Sequence, residues 1–264
     1  MTVLNNYSDL VRKYSRKRRI RTGFRDIAIF IMSVAASVES SKEWLRVLFY
    51  HHVFDDERKG FERQLRFLRN YADFISMDNA VEIFENKLHV DGRYFCVTFD
   101  DGLKNCVTNA LPILLEHKCP AIFYIPSNIV ENITPSIPYL ENVEYLTLDD
   151  CKKLIDNGIA IGSHTVNHTP LIALNEAEVR SELLDSKKII EAKLQVECKH
   201  FAPPWGKPGK HFNLKMGKKL TKEIGYKSLV TTERGLNFRG TDPFNIKRDH
   251  VIAAWGNYQL RYFL

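Results

Sequence analysis

The chain has 264 residues, enough for one large α/β barrel or two small domains. Apolar residues make up 44%, which is ordinary for a globular protein and excludes a disordered chain. Net charge is +6 but unevenly spread, and the five cysteines (Cys96, Cys106, Cys119, Cys151, Cys198) form no CxxC pair, which fits a reducing compartment and core packing.

Arg12, Lys13, Arg16, Lys17, Arg18, Arg19, Arg21 and Arg25 crowd the N-terminus. Such a block suits weak contact with an acidic membrane surface; the plainer reading is a solvated tail, and no nucleic acid partner is expected. The apolar run Ile27–Val38 that follows has twelve residues, too few to span a bilayer. Because the basic segment is long and Asp26 abuts the run, a buried or membrane-surface helix is favoured over a cleaved signal peptide. The expected location is cytoplasmic or peripheral at the inner membrane face, with export left open. Residues 1–44 thus read as a basic and apolar N-terminal extension, and 45–264 as one barrel domain.

From Leu45 a regular alternation begins. Arg46–Tyr50 reads as a strand ending at His51-His52. Phe61, Leu65 and Leu68, at i, i+4 and i+7, predict a helix. Phe74-Ile75 is a short strand, and 78–87 a helix with Asp78 as N-cap. Tyr94–Phe99 is an apolar, β-branched strand. Residues 104–117 read as a helix kinked or broken by Pro112. Ala121–Ile125 is a strand stopped by Pro126, and 127–146, with Pro135 and Pro138, a long loop on the active face. Leu148–Asn157 is a helix closed by Gly158. Ile159–Gly162 is a strand, and 175–194 the longest helix, with Asn175 and Glu178 as a capping box. Strands near His200-Phe201, Lys227–Val230 and Ile246-Lys247 complete the series. Repeated strand–helix units imply a parallel α/β sheet, and about seven such units closing on themselves suggest a barrel.

Two carboxylates, Asp100 and Asp101, stand at the end of the Tyr94–Phe99 strand, followed by Gly102. Adjacent acids repel unless a cation or proton offsets them. The Ile159–Gly162 strand ends in Ser163-His164-Thr165-Val166-Asn167-His168. One helical turn between His164 and His168 would put both imidazoles on one face. In a parallel barrel the strand C-termini share one rim, so the acids and histidines converge there, leaving one acid to hold a metal and one to act as base. Phe201-Ala202-Pro203-Pro204-Trp205-Gly206 is a third rim segment, in which two prolines fix the loop and leave the Trp205 N–H to face a developing oxyanion. A strand-ending turn and a rigid loop with a packed Trp are the structural alternatives.

The set Thr98-Phe99-Asp100-Asp101-Gly102, Ser163–His168 and Phe201–Gly206 resembles the polysaccharide deacetylases of carbohydrate esterase family 4 over about residues 46–250. The resemblance implies a distorted (β/α)7 barrel, here with an N-terminal extension, that removes acetyl groups from glycans with a divalent metal, commonly zinc. It makes Asp100 the base and gives the metal to Asp101, His164 and His168. Two departures stand out. Ala202 replaces the Arg that normally orients the base, and the late Leu-x-His segment that supplies a general acid is absent. Both resemble the subgroup acting on poly-N-acetylglucosamine, whose acid is carried at the end of the first strand as Tyr-His, matching Tyr50-His51. That makes His51 the expected acid, with His52 next in line and Arg248 and Asp249 as residues orienting base or acid. The implied substrate is an N-acetylated glycan or glycan precursor. An inactive glycan-binding barrel and a hydrolase of non-sugar amides are the rival readings.

Overall fold

The computed structural model describes residues 3–13, 25–33, 43–86, 92–135, 137 and 142–263. Most of the basic block, Val34–Val38 and Pro138 lie outside the described residues.

Eight strands lie in one sheet: β1 (Trp44–Tyr50), β2 (Asp73–Phe74), β3 (Arg93–Phe99), β4 (Ala121–Ile125), β5 (Ala160–Ser163), β6 (His200–Phe201), β7 (Ser228–Leu229) and β8 (Arg248–His250). Their order is β7-β6-β5-β4-β3-β1-β8, all neighbours parallel, with β2 against the start of β3. The two ends of this path meet. Ile246 N donates to Leu229 O at 3.1 Å and Thr231 N to Ile246 O at 2.7 Å, a parallel bridge that closes seven strands into a ring. The architecture is the α/β, distorted (β/α)7 barrel expected.

Side-chain alternation along each strand builds two cores. Inward positions Leu45, Val47, Cys96, Ile122, Tyr124, Ala202, Val230 and Ile246 fill the barrel. Outward positions such as Leu48, Tyr50, Val97, Phe99, Phe123 and Phe201 pack under the surrounding helices. Helix Arg58–Arg69 buries Phe61, Leu65 and Leu68 on that layer, as the spacing predicts. Its Gln64 is fully buried: Nε2 donates to the carbonyls of Ile252, Ala253 and Trp255, and Oε1 accepts from Tyr50 Oη.

Several local expectations shift. The helix expected over 78–87 is Met77–Phe84, capped by Ser76 rather than Asp78, because Ser76 Oγ is the group that accepts from Asn79 N. Asp78 instead pairs with Lys199 and His200 at 3.3 Å each. Residues 104–117 split into a π-helical turn, Cys106–Ala110, and helix Leu111–Glu116, with Pro112 in the first turn where its missing N–H is harmless. The longest helix, Glu176–Leu194, has its capping box on Asn175 and Glu178. The last strand is Arg248–His250, two residues later than Ile246-Lys247. All five cysteines are buried and free.

In the N-terminal region, helix Tyr7–Arg12 sits on the barrel through Tyr7 N and Ser8 N, which donate to Asp56. Residues 25–33 are also helical, and no helix among the described residues is long and apolar enough to cross a membrane.

Candidate functional site

Alternation along β3 sends Cys96, Thr98 and Asp100 inward. Asp100 N still pairs with β1, donating to Tyr50 O at 2.9 Å. The chain then turns through Asp101 and Gly102, both left-handed, with φ of 69° and 68°. A side chain at 102 would put its Cβ 2.5 Å from Ile129 Cδ1, so the turn requires glycine.

Asp100 is buried and held by one partner above all. Arg248 Nη1 and Nη2 donate to its two carboxylate oxygens at 2.8 Å each. The same guanidinium donates to Thr98 Oγ1 at 3.1 Å and Thr231 O at 3.0 Å, and lies over the Phe49 ring at 4.5 Å. Arg248 is fully buried and reaches Asp100 because β8 alternates like β3, with Ile246, Arg248 and His250 on the inward face. The guanidinium missing at Ala202 is thus supplied from the opposite end of the sequence. Asp249, one residue on, faces outward and pairs with Arg46 at 2.7 Å, so it orients neither aspartate nor His51.

Asp101 lies among three imidazoles. His164 Nε2 is 3.3 Å and His168 Nε2 3.1 Å from its Oδ1, and His51 Nε2 is 4.0 Å from its Oδ2. Burial opposes ionisation of Asp101, but the imidazoles of His164, His168 and His51 around it outweigh burial and hold the carboxyl well below its usual range. The two histidines do not meet through a helical turn. Residues 164–170 are irregular, with Thr165 and His168 left-handed at φ 68° and 57°. Helix Glu176–Leu194 shapes this loop from behind: Glu182 accepts from the amides of Val166 and Asn167, and Ser186 Oγ donates to Thr165 O.

The donor set fits a divalent cation. Ala202 O can only accept, so His164 Nδ1, 2.6 Å away, carries the proton, and a neutral His164 turns a bare Nε2 lone pair toward Asp101 Oδ1. His168 is buried and makes no standard hydrogen bond through either ring nitrogen, and burial holds its imidazole below its usual range. Acceptors aimed at one carboxylate oxygen call for a cation among them, and a carboxylate with two imidazoles suits zinc or a similar divalent ion.

His51 follows β1 onto the same rim, with its ring 5.1 Å from that of His250. Burial lowers its proton affinity, against the pull of Asp101 and Asp100. His52 points away from the cluster and braces the loop after β1. Its Nδ1 is 2.7 Å from Glu57 Oε2, and Glu57 also accepts from Phe54 N and Ala254 N. Trp205 closes the far side. Buried Pro204 precedes it, its ring lies 4.6 Å from His168, its backbone is left-handed at φ 55°, and its carbonyl accepts from Thr232 Oγ1.

Two more residues stand at the rim. His250 follows from alternation, two residues after Arg248 on one strand. Tyr145 carried no signal: it comes from the long loop by an antiparallel bridge to Leu103, and burial, with the charge of Asp101 behind it, pushes its phenol up to about 12.

Comparison with known proteins gives relatives of the same kind. The Bacillus subtilis protein YxkH, which carries a polysaccharide deacetylase name, is 26% identical over 227 residues, 81% of this chain and 75% of that one. The chitooligosaccharide deacetylase of a Bradyrhizobium species is 27% identical over 116 residues, 43% of this chain and 47% of that one. The structure of IcaB from Ammonifex degensii superposes with a TM-score of 0.72 at 21% identity, covering 84% of this chain and 97% of that one, and shows the same fold. The polysaccharide deacetylase family model matches residues 87–229, over half of the chain, and the protein belongs to that family.

Proposed function

We propose that the protein is a metal-dependent deacetylase that hydrolyses the N-acetyl group of an amino sugar in a glycan or glycan precursor, releasing acetate. One observation carries the reading: a carboxylate clamped by a guanidinium, Asp100 with Arg248, stands one residue from the buried cluster of Asp101, His164 and His168. Asp101, His164 and His168 would hold the metal, with zinc the expected ion. When bound there, the metal supplies a Lewis acid that polarises the acetyl carbonyl and lowers the pKa of water.

The chain's own residues divide the remaining work. Asp100 takes the proton from the attacking water, and Arg248 fixes its carboxylate in orientation through two hydrogen bonds. The Trp205 N–H donates to the developing oxyanion, and its indole offers a face to the sugar. His51 protonates the leaving amine, since an imidazole donates near neutrality and is readily reprotonated. An inactive glycan-binding barrel would follow from the arginine absent at Ala202, and the Arg248 clamp on Asp100 speaks against it. The chitooligosaccharide named for one relative supports an N-acetylglucosamine-containing substrate.

The test is mass spectrometry of acetylated chitooligosaccharides after incubation with metal-loaded protein. The reading expects loss of one acetyl mass per turnover, abolished in Asp100→Asn. Unchanged glycan masses across chitooligosaccharides and other N-acetylated glycans would overturn it.

A further inference from the structure

The helical residues 25–33 have the reverse of an ordinary surface helix's polarity. Ile29 and Ser33, four apart, are buried at 3% exposure each. Asp26 accepts from Gln259 Nε2 at 3.3 Å, and Phe30 meets Tyr258 edge-on at 5.4 Å, so one edge of the stretch is seated on helix Asn257–Phe263. Ile27, Phe30 and Ile31, at i, i+3 and i+4, are turned to solvent at 61%, 56% and 65% exposure, Phe30 at the margin beside Tyr258. Single exposed apolar residues need no explanation, but three on one helical stripe form a contiguous patch.

The charge that precedes this patch in the sequence is the second observation. The first 26 residues hold eight of the 38 lysines and arginines and two of the 32 acids. The rest of the chain is balanced at 30 of each, so the entire +6 excess lies directly before the apolar stripe. A second copy of the chain would bring like charge against like. Nucleic acid would match the charge and leave the stripe uncovered. An anionic bilayer surface satisfies both, with phosphates for the basic side chains and an acyl boundary for the stripe.

We propose that this segment docks the barrel on an anionic lipid bilayer, with Ile27, Phe30 and Ile31 entering the headgroup–acyl boundary. The segment after β8 links the docked stretch to the loop that follows β1. Gln259, which holds Asp26, also accepts from Gly256 N, and Ala254 N bonds to Glu57, the partner of His52.

The full chain is sedimented with sucrose-loaded phosphatidylcholine vesicles with or without phosphatidylglycerol. It pellets with the anionic vesicles, and at least about tenfold less with neutral ones or at roughly 0.5 M salt. Ile27→Asp/Ile31→Asp loses at least about tenfold in partitioning with little change in Tm, since both side chains are exposed. Leu115→Asp, at a residue 42% exposed on helix Leu111–Glu116, pellets like the parent. Equal pelleting of the parent and the Ile27→Asp/Ile31→Asp variant, or of anionic and neutral vesicles, overturns the proposal. A concentration-dependent dimer that this variant abolishes, without vesicle binding, gives the face to a second copy. Sedimentation reads binding and not turnover, so its outcome is independent of the deacetylase reading.

Discussion

Replacing Arg248 with methionine tests the centre of the site. The guanidinium is fully buried and makes four hydrogen bonds, two of them to Asp100 at 2.8 Å. Methionine fills much of the volume and removes the charge. A buried ion pair broken on one side costs about 3–5 kcal/mol, because the remaining charge is left uncompensated. At about 2–4 °C per kcal/mol for a domain of this size, Tm should fall by roughly 10 °C. Without the two-pronged clamp the Asp100 carboxylate is no longer held in the orientation a base requires, so kcat should fall by about 10²–10⁴. Arg248→Lys keeps the charge without the two-pronged geometry and should lie between. Adding Asp100→Asn to Arg248→Met removes the stranded charge, so the double variant should regain stability, by roughly 1–3 kcal/mol of coupling. Calorimetry on the metal-loaded proteins and steady-state kinetics on an acetylated oligosaccharide measure both effects. A single Arg248→Met variant with parental Tm and kcat would refute the assignment of Asp100 as a base clamped by Arg248.

The other outcomes concern separate parts of the molecule. His168→Ala removes one of three ligand atoms clustered on Asp101 and should abolish most metal affinity by calorimetric titration; unchanged stoichiometry would rule the cluster out as the metal site. His51→Ala should bind metal nearly normally and lose kcat on the amide far more than on an activated acetyl ester, whose leaving group needs little protonation. Equal losses on both substrates would remove His51 as the acid and turn attention to His250, its neighbour at 5.1 Å. Gln64→Leu strands the Tyr50 hydroxyl and three carbonyls in the outer core and should lower stability by about 2–4 kcal/mol in urea unfolding; an unmoved midpoint would show that this network contributes nothing.

The sequence by itself determined the strand series, the closing of the strands into a parallel barrel and the rim position of Asp100, Asp101, His164 and His168. These follow from local patterns: a period of two along strands, a capping box at Asn175, and acids or histidines just past a strand end. The tertiary structure decided the partners. Arg248 lies 148 positions from Asp100, and only closure of β8 onto β1 brings the two inward faces together. His52 stood next in line to His51 and Asp249 beside Arg248 in sequence, yet adjacent residues along a strand direction point to opposite sides. One member of each pair reaches the site, while the other is spent on Glu57 or Arg46. His164 and His168 converge through a left-handed loop held by Glu182, a geometry that the four-residue spacing could not distinguish from a helical turn. Sequence periodicity records which way a side chain points relative to its own backbone. What it meets there depends on how distant segments pack, because burial and pairing are properties of the closed barrel and not of any stretch within it.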